Sequence, residues 1–161
     1  DYPVPCGDYP FLIEERKIIG MRKEVKIVPI SDIDLSASDF CDLLEAADYR
    51  EVPDDCTEAQ WDKLSQLKRE QQQQAVAQLK VDVREKCAYQ RAAVLKSYQF
   101  RREDLSMRIQ SMEDANIRRM YESQLRSLEE DKDVRLKELN DIQERATVEE
   151  NTIVKGIITV C

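Results

Sequence analysis

Five arginines, Arg101, Arg102, Arg108, Arg118 and Arg119, are the side chains of this sequence best suited to a defined chemistry. A guanidinium presents a planar fork of N–H donors that matches phosphate oxygens, so arginines drawn together make a candidate nucleic-acid contact. They flank Glu113-Asp114-Ala115-Asn116, a cluster of polar, cap-competent residues. A chain that reverses at about residue 115 presents all of them near one end. The competing reading is a solvated helix face whose arginines pair at i to i+4 spacing with Glu103, Asp104, Glu113 and Glu122.

Other chemistries find little to build on. The sequence has no histidine to serve as a base, no Gly-rich phosphate loop and no Gly-x-Ser-x-Gly elbow, so the reading is of a chain that is not itself an enzyme. Carboxylate pairs abound, but on helices this charged they read as solvated faces. The five cysteines, Cys6, Cys41, Cys56, Cys87 and Cys161, are odd in number, widely spaced and without a C-x-x-C. Neither a zinc site nor a disulfide framework is expected, and neither is any cofactor. Cysteines used this way fit a reducing, cytoplasmic compartment.

The element that must position the arginines is the run from Thr57 to Ala146, which holds no Gly and no Pro and reads as helix throughout. Thr57-Glu58-Ala59-Gln60 predicts its start, with the Thr57 hydroxyl and the Gln60 side chain each capping the other's backbone N–H. Asp54, Asp55 and Glu58 lie where the positive end of the helix dipole favours acids, and Pro53 lies just outside. Two apolar series recur every eleven residues: Val76, Cys87, Tyr98 and Ile109, then Val83, Val94 and Leu105. Eleven residues make three turns of 3.67, so the stripe holds to one face. A second stripe follows at Ile117, Met120, Tyr121, Leu125, Leu128, Leu139 and Ile142. The predicted arrangement is an antiparallel coiled-coil hairpin over 57–148 with its tip near 113–117, burying Val83, Val94 and Leu105 against Ile117 to Ile142. The rival is one unbroken helix that buries its stripe by dimerising.

The base of this hairpin is expected to be a small α+β head over 11–56. Phe11 to Ile30 carries apolar clusters divided at Gly20, the pattern of one or two strands, with Pro29 ending or edging the second. Ser36-Ala37-Ser38-Asp39 predicts the cap of a short helix running to about Ala47, with Phe40, Leu43 and Leu44 on one face. The β-branched run from Thr152 to Val160, within a returning segment 149–161, reads as a strand whose expected partner is Val25 to Ile30. Residues 1–10, with three prolines and a glycine, read as an irregular arm. The fold class is therefore mainly α, a long antiparallel coiled-coil hairpin on a head formed by N- and C-terminal strands and a short helix.

Charge divides along the chain. Residues 1–60 hold 15 acidic and 6 basic side chains, whereas 61–161 hold 18 and 19, so the head is acidic and the helical run mildly basic. No apolar run approaches the roughly 20 residues that span a bilayer, and no membrane partner is expected. The chain does not begin with Met and stops in a strand pattern, which suggests a piece of a longer protein.

The stretch Ala115-Asn116-Ile117-Arg118-Arg119-Met120-Tyr121-Glu122-Ser123-Gln124-Leu125-Arg126-Ser127-Leu128-Glu129-Glu130 is followed by Arg135-Leu136-Lys137-Glu138-Leu139 and then by Val154-Lys155-Gly156-Ile157-Ile158. This succession resembles the C-terminal coiled-coil region that follows the motor domains of some bacterial Swi/Snf-like ATP-dependent helicases, where an arginine-rich helical hairpin precedes a short strand. The resemblance covers Thr57 to Val160 and none of the ATPase motifs. It implies a non-catalytic accessory piece of a nucleic-acid helicase or translocase, with the upstream motor domains of the same polypeptide and DNA or RNA as partners. The other function in play is a coiled-coil scaffold or adaptor that binds another protein.

Overall fold

The structure, a computed structural model, describes residues 4–33, 35–48 and 56–160. Their order is β1 (Gly7–Ile19), β2 (Lys23–Ser31), α1 (Ala37–Ala46), α2 (Glu58–Ser111), α3 (Ala115–Arg145) and β3 (Thr147–Val160). The chain is mostly helical, with one three-stranded antiparallel sheet and a helix of 54 residues. It divides into two compact units, Asp1–Leu79 with Thr147–Cys161, and Lys80–Ala146.

In the first unit the strand order is β2-β1-β3. This corrects the expected pairing: the C-terminal strand lies against β1, Gly7 opposite Val160 and Ile19 opposite Thr147, and β2 lies on β1's other side. The physical reason is that β1 is longer and starts earlier than its apolar clusters imply. Gly7 to Pro10, read as part of an arm, are its first residues. Pro10 is tolerated because β2 reaches only to Phe11, so no strand faces it on that side to demand its missing N–H. β3 likewise begins at Thr147, before its β-branched run.

Paired residues of antiparallel strands share a face of the sheet. On one face Phe11 packs with Ile33, Phe40 and Ile158, and the Phe11 and Phe40 rings meet edge to face at 5.7 Å. Gly156 sits opposite Phe11, and a Cβ there would come within 2.5 Å of the ring, so the absent side chain is what lets the phenyl lie across β3. Phe40 comes from α1, capped as predicted by Ser36, whose hydroxyl accepts from the Asp39 N–H.

The first turns of α2 cover the other face. Thr57 and Gln60 form the predicted capping box: the Gln60 N–H reaches the Thr57 hydroxyl at 3.4 Å, and the Thr57 N–H reaches Gln60 Oε1 at 2.8 Å. The Gln60 amide also donates to the Asp8 carbonyl, tying the helix start to β1. Leu64 and Ile30 are buried at 1% and 0% exposure. Asp54, Asp55 and Pro53 lie outside the described residues.

In the second unit the helical run is interrupted. α2 ends at Ser111, and Asp114 caps α3 by accepting from the Asn116 and Ile117 N–H groups at 2.7 and 3.1 Å. The break at Met112 to Asp114 overlaps the reversal expected near 113–117, and the rival reading of one unbroken helix is corrected: these three residues are not helical. Aspartate competes for backbone donors and favours caps over helix interiors. Contacts join Cys87 to Leu139, Arg91 to Asn140, Tyr98 to Glu129 and Arg108 to Tyr121, so partners descend α3 as they ascend α2. Val83, Cys87 and Leu139 are buried, and Val94 and Leu105 are half-buried.

Candidate functional site

The arginines sort by what holds them. Arg118 donates through its guanidinium to the Met112 carbonyl, satisfying an acceptor just past the end of α2. Arg108 pairs with Asp104 at 3.1 Å and lies 5.9 Å from the Tyr121 ring centre. Its hydrogen bond to Tyr121, then the Asp104 charge, hold its pKa above the ordinary arginine value. Arg101 and Arg108 line one shallow groove with Asp104, Ser127 and Asp131, whereas Arg102 lines a different one with Glu103 and Met107. Arg101, Arg102 and Arg119 are exposed. The fold thus joins Arg101 to Arg108, sets Arg102 apart and assigns Arg118 to the turn.

A different surface of α2 carries large apolar side chains. Tyr89, Phe100 and Met107 are 79%, 75% and 63% exposed. Each follows by two residues an inward position, Cys87, Tyr98 or Leu105, and two residues turn the helix by about 200°, so all three face away from α3. Their separations of eleven and seven residues keep them in one line. Sequence reasoning passed over them because it sought one stripe per helix; the signal was a second apolar residue two places after Cys87, Tyr98 and Leu105.

The contacts on the inward side bind α2 to α3. Tyr98 donates to Glu129 at 3.0 Å while the Lys132 ammonium lies 4.6 Å from its ring centre. Desolvation, then the Glu129 bond, raise the Tyr98 pKa. Lys132 is raised chiefly by its bond to Asp133.

The first unit holds a buried ionic cluster that composition did not reveal. Glu14 of β1 is fully buried, and its Oε1 takes the Lys68 ammonium at 2.8 Å and the Thr152 hydroxyl at 2.6 Å. Two residues along, Arg16 pairs with Glu150. Lys155 lies 3.9 Å over the Trp61 ring on the same face. The cluster is structural in form: both carboxylates are engaged by cations. Its signal in the sequence was a carboxylate directly after Phe11-Leu12-Ile13.

No helix among the described residues is long and apolar enough to cross a membrane. Comparison with protein-family models, with curated proteins and with solved structures gives no match.

Proposed function

We propose that this chain is a non-catalytic interaction module: an antiparallel coiled-coil hairpin of α2 and α3 whose outer face docks a helix of another protein. The observation that carries the reading is the line of Tyr89, Phe100 and Met107 on the side of α2 turned from α3. Aromatic and methionine side chains are the types enriched at interfaces, and heptad-compatible spacing suits a helical partner. Neighbouring Ala93 is small enough to admit a packed side chain, and Lys96 and Glu103 fall in the same line.

The second reading is an accessory arm of an ATP-dependent nucleic-acid translocase whose motor domains lie upstream. It is supported by the exposed guanidiniums of Arg101, Arg102 and Arg119. Affinity for duplex DNA across a salt series separates the two. The protein-docking reading expects no saturable binding at about 0.15 M salt. Binding that falls steeply with log salt, and is lost on changing Arg101 and Arg119 to Glu, would overturn it in favour of the translocase arm.

A further inference from the structure

Among the described residues no further strand lies beside either outer strand of the head, but only one of these edges is fit for pairing. β3 is broken by a register shift opposite Ile13 and Glu14, where Ile153 is the extra residue. Such a bulge bends a strand and spoils it as a template. β2 runs unbroken from Lys23 to Ser31, and Lys23 to Ile27 are exposed, with no strand beyond them among the described residues. A proline inside a paired strand fits with its nitrogen turned away from the neighbour, so Pro29 faces outward. By alternation the backbone N–H and C=O groups of Val25 and Ile27 face outward with it.

The geometry points to the β2 edge as a self-association site, where a second copy of this chain pairs antiparallel and continues the sheet from three strands to six. Charge selects both the occupant and the register. Val25 and Ile27, 55% and 59% exposed, share one face, and Glu24 and Lys26, 3.5 Å apart and also exposed, share the other. With Val25 opposite its own copy, each Glu24 faces a Lys26 of the other molecule, so these two charges meet opposite ones across the new contact. Sliding by two residues, so that Val25 meets Ile27, sets Lys26 against Lys26. The first register also leaves Pro29 beyond the paired segment. It forms about six backbone hydrogen bonds, from Lys23, Val25 and Ile27 of both copies. An unrelated strand would meet the same lysines without the matching acids, which is how edges are protected against casual pairing.

Sedimentation equilibrium of the chain over a concentration series tests this through a charge reversal and its rescue. The wild type is expected to form a dimer, Lys26→Glu to weaken it by about tenfold or more, and the exchanged pair Glu24→Lys with Lys26→Glu to restore it. These side chains are exposed, so circular dichroism should show each variant folded. A monomer at every concentration overturns the assignment. So does a dimer indifferent to Lys26→Glu, or one lost instead on Phe100→Asp, which would place the contact on α2.

Discussion

The two units of this molecule use the same charged residue types to opposite effect. In the head, Glu14 is fully buried and takes Lys68 and Thr152, so its charge is removed from water and depends on those partners. In the helical unit, pairs such as Arg135 with Glu138 are half exposed and share their charge with solvent. What holds that unit is the apolar line of Val83, Cys87 and Leu139. A charge therefore marks nothing by itself; its burial decides whether it is a structural necessity or a solubilising fringe.

Three substitutions test that contrast. Lys68→Met removes the cation from a carboxylate that cannot reach water, and the head should lose about 3–5 kcal/mol in denaturant unfolding. A loss under about 1 kcal/mol would mean that Glu14 is hydrated in solution. Leu139→Ala, in the helical unit, leaves a void beside Cys87 and should cost about 2–5 kcal/mol. An effect much smaller would show the contact between α2 and α3 to be loose. Arg135→Ala breaks an exposed i to i+3 pair and should change stability by no more than about 0.5 kcal/mol. A cost as large as that of Lys68→Met would abolish the distinction between the units.

Those features that depend on neighbours in sequence were legible from it. The Ser36 cap of α1, the Thr57 and Gln60 capping box and the inward placing of Val83 and Cys87 all follow from spacing within a few turns. Strand partnership was not legible. β2 carries the alternating pair Val25 and Ile27 and is the expected mate of β3, yet the centre of the sheet went to β1 despite its Glu14-Glu15-Arg16-Lys17 run. That run fits a central strand because Lys68 and Glu150 arrive from distant segments to neutralise Glu14 and Arg16. The arginines show the same limit. Their charge is plain in the sequence, but that Arg118 is spent on the Met112 carbonyl depends on where the turn falls.

The pairing of β1 with β3 also sets an order in time. Gly7 waits for Val160, so the sheet joins residues from near the two ends of the described chain, with α1, α2 and α3 between them. Contacts so remote in sequence close late, whereas α2 and α3 meet across a three-residue connection and can form as soon as both are made. During synthesis from the N-terminus, β1 and β2 can pair only as a two-stranded ribbon, which is marginally stable in water unless α1 and the first turns of α2 pack on it. Until β3 emerges, Phe11 lacks Ile158 and Glu14 lacks Thr152, and the inner edge of β1 is as open as that of β2. The head is thus a clasp that can shut only after the helices it belongs to have been made.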